Sequence, residues 1–211
     1  MSHVSPQLGF VWPAPLADEP LRFQRIAMKH VQALLVDGHY LHSLPGDPVF
    51  TFAWFLGMNP VACATFSSPA NRYFGPGSLE LTRLVRSDAC QAPLTSFLAQ
   101  CVRVIRADER RFKLLVSYAD SSAGHHGGIY QAFNGIHVAA SSGHGQWKHR
   151  ETGKIVSERS MSQSALARTT EYERVRTGMK YLYAWPLHEG RKALLQRFGW
   201  EALPYPKPSL P

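Results

Sequence analysis

Cysteine is scarce: the chain of 211 residues holds three, Cys63, Cys90 and Cys101, and no two of them form a Cys-x-x-Cys pair. An odd count without metal-type spacing argues against a disulfide framework and a thiolate zinc site, and it suits a reducing cytoplasm. No uninterrupted apolar run reaches the ~18 residues of a membrane-spanning helix. The first residues also lack the charged-then-apolar order of a secretory signal, so neither a membrane protein nor a secreted one is expected. Acidic residues are short as well, 15 Asp plus Glu against 23 Lys plus Arg, leaving a net charge of +8. A surplus of that sign points to a polyanionic partner, because each phosphate neutralised releases counterions. Core-forming material is plentiful. Apolar residues make up 45% and charged residues 18%, a globular composition on a chain long enough for one sizeable core.

The chain order predicts a mixed fold. Pro6, Pro13, Pro15 and Pro20 punctuate residues 1–20 and predict an extended arm. From Leu21, apolar residues recur at helical spacing (Phe23, Ile26, Val31, Leu34, Leu35) until Gly38, where a helix would end. Val49 to Leu56 and Val61 to Phe66 are rich in β-branched and aromatic residues and flank a Gly-Met-Asn-Pro turn, which predicts a hairpin. Leu79 to Val85 alternates like a half-buried strand. Pro93 opens a helix through Arg106 with one apolar stripe, and Phe112 to Tyr118 predicts a buried strand. A short helix over Ile129 to Phe133, strands over Ile136 to Ala140 and Lys180 to Trp185, and a helix over Arg191 to Phe198 complete the list. Residues 141–176 are polar and basic, an excursion or a surface subdomain, and 201–211 form a Pro-rich tail. One domain over 21–200 is expected, of the α/β (α+β) class, with three layers and a mixed, largely antiparallel sheet. That element order matches the GCN5-related N-acyltransferase fold.

Four groups of residues carry candidate chemistry. In Leu115 to Asn134 a buried strand ends at Ser117, Tyr118 and Asp120, and a glycine-rich loop leads to Tyr130 and Gln131. Strand ends and the loops after them line ligand crevices in open α/β sheets, so Asp120 and Tyr130 offer a base and an acid. Asp120 equally suits the cap of the next turn, and Tyr130 equally suits packing on the sheet. His39 and His42, three apart, together with His125 and His126, have ligand chemistry but no metal-site spacing, and no metal is expected. Thr82 and Arg83 stand at a strand end, where Arg83 can grip a phosphate or carboxylate bidentately or join a cross-strand ion pair. Lys148, Arg150, Lys154 and Arg159, interleaved with Trp147, suit a phosphate backbone and an unstacked base. The intervening glutamates suit a plain solvated face.

Gly38-His39-Tyr40, Leu79-Glu80-Leu81-Thr82-Arg83-Leu84 and Leu115-Val116-Ser117-Tyr118-Ala119-Asp120 through Gly127-Gly128-Ile129-Tyr130-Gln131-Ala132 resemble the Mom family of bacteriophage DNA-adenine modification proteins. The resemblance covers roughly residues 21 to 190. It implies a GCN5-related acyltransferase fold and a reaction on adenine N6 of double-stranded DNA. The product would be an acetamido (carbamoylmethyl) derivative that shields phage DNA from restriction in the host cytoplasm. The active-site positions it carries over are Tyr40, Arg83, Ser117, Asp120 and Tyr130; His39, Thr82 and Gln131 flank them as substrate or donor contacts. An acetyl-coenzyme-A donor and an iron requirement belong to the same resemblance. Acyl-coenzyme-A enzymes of this fold cradle the pyrophosphate in a Gln/Arg-x-x-Gly-x-Gly/Ala run, whereas the corresponding Arg86 to Pro93 here contains no glycine. The product joins N6 to a methylene rather than to a carbonyl carbon, which favours a glycyl donor such as glycyl-tRNA over acetyl-coenzyme A. Two other classes fit the composition: a small-molecule N-acetyltransferase, which would not bind DNA, and a DNA-binding protein without catalysis, which would tolerate Asp120→Asn.

Overall fold

A computed structural model describes residues 20–142, 146–153, 155–157, 170–175 and 178–207. Its main sheet has seven strands: β1 (Arg22–Arg25), β2 (Phe50–Leu56), β3 (Asn59–Ser67), β4 (Ser78–Arg86), β5 (Leu114–Asp120), β6 (Ile136–Ser142) and β10 (Met179–Pro186). They lie in the order β1-β2-β3-β4-β5-β10-β6. Every neighbouring pair is antiparallel except β4 with β5. The helices are α1 (Gln32–Gly38), α2 (Leu94–Asp108), α3 (Gly128–Ala132) and α4 (Arg191–Phe198). Among the described residues, none of them is long and apolar enough to cross a membrane.

The two-residue period of the strands sorts side chains into two cores. Phe50, Phe52, Ala64, Phe66, Leu79 and Leu115 meet the buried stripe of α2, Phe97, Leu98, Cys101, Val102 and Ile105. On the opposite face, Leu114, Val116, Ile136 and Leu182 pack with Leu194 of α4, while Ala53, Cys63 and Val85 pack with Leu35 of α1 and with Val31 in the helical turn before it. β5 is therefore apolar on both faces, which is why its sequence reads as a continuous apolar run. Burial of each such side chain contributes about 1.5–3 kcal/mol. All three cysteines are free thiols buried in these layers.

The helix predicted from Leu21 begins instead as a strand. Phe23 stacks on Phe52 at 5.4 Å and meets the Phe97 ring edge-on, which fixes β1 beside β2. Helical structure starts only at Met28. Phe23 and Ile26, three apart, satisfied a helical period that pairing with β2 overrides. Within 141–176, β7 (Gln146–His149), β8 (Ile155–Ser157) and β9 (Tyr172–Val175) form a separate antiparallel sheet in the order β8-β7-β9. Residues 1–19 of the expected arm and residues 208–211 of the tail lie outside the described residues.

One junction positions the site. β4 and β5 pair only over Ser78–Glu80 and Leu114–Val116. Beyond that rung both strands continue, β4 to Arg86 and β5 to Asp120, without a ladder between them. On its other edge β4 carries an extra residue: Thr65 faces Arg83 while Phe66 faces Leu81, so Thr82 bulges, its hydroxyl 2.9 Å from that of Thr65. Bulges bend the strand that carries them, and here β4 turns away from β5.

Candidate active site

The wedge between the parted strands is a cleft of about 590 Å³. Among the residues lining it are His39, Tyr40, Arg83, Tyr118, His125 and Tyr130, drawn from the segment after α1, from β4, from β5, from the glycine-rich turn and from α3. Thr82 lines it too. Five positions picked from sequence, His39, Tyr40, Thr82, Arg83 and Tyr130, thus share one cavity.

Ser117 lies behind this wall. It is fully buried, and its hydroxyl donates to the Leu81 carbonyl at 3.0 Å, bridging the strands where they separate. Tyr130 shares a hydrogen bond with Ser117. Burial first, then the charge of Glu80 and the neighbouring Tyr183, push the Tyr130 phenol above its usual range, with the Ser117 bond opposing.

Tyr40 stacks on the His39 ring at 4.5 Å and meets His125 edge-on at 5.2 Å. Burial, then the charge of Asp120, raises its pKa to about 12, so the phenol remains protonated at neutral pH. His39 moves the other way, down to about 4, through burial first and then the positive field of Arg83 and the neighbouring histidines. Its Nδ1 accepts the Leu41 amide at 3.2 Å, so the neutral ring carries its proton on Nε2. Arg83 is anchored by Nε to the Ser43 carbonyl at 3.3 Å and by Nη1 to the Thr82 carbonyl at 2.8 Å.

Asp120 and Gln131 are placed differently. Asp120 is 5% exposed, and its Oδ1 accepts from the Ser122 amide at 3.0 Å and the Ser122 hydroxyl at 2.5 Å. Its Oδ2 lies 3.8 Å from Lys180 Nζ. The carboxylate therefore caps the turn after β5, and its charge acts on the cleft through Tyr40. Gln131 Nε2 is 3.0 Å from the Tyr183 hydroxyl and 3.2 Å from the carbonyls of His126 and Pro206. Gly127, at φ +85°, lies so close to the Tyr183 ring that a Cβ would sit 2.3 Å from it. Lys148 and Arg150 are exposed on the small sheet, Arg150 at 3.9 Å from Glu173, and Lys154 and Arg159 lie outside the described residues.

Tyr118 and His125, which the sequence placed on the strand end and the turn expected to line a crevice but gave no active-site role, also line the cleft. Sequence reasoning missed that the tail is built into the site. Leu203 N–H donates to the His137 carbonyl at 2.8 Å, His137 Nδ1 donates to the Pro204 carbonyl at 2.7 Å, and Tyr205 donates to the Gly135 carbonyl at 2.8 Å. With Gln131 on Pro206, these bonds strap the tail across the base of the loop that walls the cleft.

The model of the Mom protein family matches residues 20–207. The chain belongs to the Mom protein family. An N-acetyltransferase from Staphylococcus aureus Mu50 shares its fold at a TM-score of 0.50 and 12% identity, over 80% of this chain and 99% of that one. A protein of Streptococcus mutans UA159 does so at 0.50 and 10%, over 79% and 99%. No curated protein matches the sequence. The GCN5-related acyltransferase fold expected from the element order is thus the fold of this Mom-family chain.

Two groups tied to the Mom family and its fold can be tested against the residues present. Iron would need a cluster of ligands. Among the described residues no three His, Cys, Asp or Glu side chains gather to hold a metal ion, so the donor set does not fit. Coenzyme A would need the pyrophosphate cradle between β4 and α2. That run has no glycine, and its Ser87 and Cys90 amides are already bonded to the carbonyls of Val61 and Ser87. The usual cradle does not fit either.

Proposed function

We propose that this Mom-family protein is a transferase that modifies adenine N6 in double-stranded DNA, giving the carbamoylmethyl derivative that shields phage DNA from host restriction. The observation that carries the reading is the convergence of Tyr40, Arg83 and Tyr130 on one cleft, roomy enough for a nucleobase, where β4 and β5 part. A duplex hides N6 in its stack, so the base must be everted at a cost of a few kcal/mol. The net charge of +8 favours the phosphate contacts that offset this cost, and exposed Lys148 and Arg150 are candidates for them.

The donor in this reading is an activated glycyl ester, glycyl-tRNA, with an acyl thioester as the alternative. In the first step N6 attacks the glycyl carbonyl. The N6–C bond forms, the ester C–O bond breaks, and the N6 proton goes to the departing hydroxyl. In the second, the glycyl amine attacks C6 through a five-membered ring, one amine proton passes to N6, and the original C6–N6 bond breaks. N6 leaves as the amide nitrogen, so C6 now bears NH–CH2–CONH2, with no redox change. Tyr130 or Tyr40, protonated at neutral pH, donates to the tetrahedral oxygen, and Arg83 steadies the ester's phosphate or ribose. His39 Nε2–H adds a neutral donor.

Mass spectrometry of nucleosides from DNA co-expressed with the protein tests this reading. The modified adenine appears with the wild type and disappears with Tyr130→Phe in a folded protein. Its absence with the wild type refutes DNA modification. Label from glycine, and not from acetate, identifies the donor.

A further inference from the structure

At the other end of β5 lies a second recess. The cleft takes Tyr118 and Ala119 from the end of that strand, whereas Trp185 and Pro186 of β10 pair with Leu115 and Leu114 at its start. There, between α2 and α3, a groove of about 510 Å³ has Val102, Phe133 and Trp185 in its apolar floor and Arg103, Arg106 and Arg191 around it. The floor is fixed: the Trp185 indole N–H donates to the Phe133 carbonyl at 2.9 Å, and the two rings lie 6.1 Å apart. Arg106 is held at the end of the groove by a 2.9 Å bond from Nη2 to the Pro186 carbonyl, which leaves its other N–H groups unspent.

The three guanidinium groups are exposed, and none makes an ion pair among the described residues. The acidic residues at these element ends have other cations: Asp108 faces Arg25, Glu109 faces Arg111 and Glu189 faces Arg197. Further positive charge surrounds the groove. His188, beside it on the turn into α4, is pushed below its usual value by desolvation and then by Lys113, Arg106 and Arg110. These unpaired guanidinium groups are free to meet an anion, and the half-buried Phe133 ring beside them offers an apolar face to a ligand that carries one.

We propose that this groove is a nucleoside-phosphate site, with a base on the half-buried Phe133 ring, which buried Trp185 backs, and its phosphate among Arg103, Arg106 and Arg191. Guanidinium groups match phosphate oxygens in a fork, and aromatic floors accept any base face. The site is independent of the adenine cleft, which it faces from the far end of the same sheet. Two sources share this chemistry, a free nucleotide and an unpaired end of a nucleic acid.

Titration calorimetry on the full chain decides the matter, with four probes: adenosine diphosphate, a short single-stranded oligodeoxyadenylate, a blunt duplex and inorganic phosphate. The diphosphate and the single strand should bind saturably and compete with one another. The Arg106→Ala/Arg191→Ala double variant should weaken both at least about tenfold, the scale of losing charge-assisted phosphate bonds. Arg103→Glu is the second variant, and an unchanged melting curve verifies the fold of each. A single strand about tenfold tighter than the diphosphate identifies a nucleic-acid end as the natural ligand, and equal affinity identifies a free nucleotide. Three results overturn the site: no saturable binding, affinity unchanged in both variants, or duplex and phosphate binding as tightly as the diphosphate.

Discussion

The hydroxyl of Ser117 reaches the carbonyl of Leu81 at 3.0 Å across the gap between β5 and β4, a side chain standing in for the backbone ladder that ends one rung earlier. Ser117→Ala leaves that buried carbonyl without its donor and Tyr130 without its polar neighbour. Loss of about 1–3 kcal/mol is expected, measured as a lower urea midpoint at unchanged m-value, together with weaker activity because Tyr130 is no longer aimed.

Asp120→Asn separates the cap from the charge. Asparagine can still accept the Ser122 amide at Oδ1, so the turn should hold and stability should change by less than about 1 kcal/mol. The ion pair with Lys180 and the field on Tyr40 disappear. Adenine modification should fall at least about tenfold while DNA affinity in a filter-binding assay stays level. Full activity in this variant would show that the Asp120 charge has no influence on the cleft through Tyr40.

His39 gives the cleft a pH signature. Its folded value of about 4 lies below the ordinary 6.5, so the unfolded chain takes up a proton in that interval and the folded chain does not. Stability is fully present above pH 6.5 and declines as pH falls toward 4. His39→Gln should flatten this acid limb in melting curves from pH 7 to 4; an identical slope would show that other groups set it.

Two glycines of the same turn should respond unequally to alanine. Gly124, φ +74°, has open space around it and should lose about 1–2 kcal/mol from backbone conformation alone. Gly127 would add a collision with Tyr183 and should lose clearly more, with a matching fall in activity, since that ring and the loop wall move together. Parallel thermal melts of the two variants measure the difference.

Much of this was legible in the residues. The apolar stripe of α2, the β2–β3 hairpin and the doubly apolar β5 each carry a periodicity strong enough to fix their type. The site was legible in its parts, because Tyr40, Arg83 and Tyr130 stand beside strand ends or a glycine-rich turn. What escaped depended on contacts distant in sequence. Phe23 reads as the start of a helix until Phe52 is known to lie beneath it. Thr82 shows no sign of bulging until its register with β3 is known. Tyr205 and Pro206 read as a loose tail because the carbonyl and amide they meet belong to residues about 70 positions earlier. Asp120 suited base and cap equally, and only the Ser122 and Lys180 contacts reveal the cap.

The concealed thiols have a practical corollary. Cys63, Cys90 and Cys101 sit at 0%, 2% and 0% exposure, and burial lifts the Cys63 thiol to about 12. An alkylating reagent added to the native protein therefore has nothing to attack until the layers separate. The rate at which the three sulfurs become labelled is a built-in clock of opening, readable on unmodified protein without a dye, and nucleotide bound near α2 should slow it.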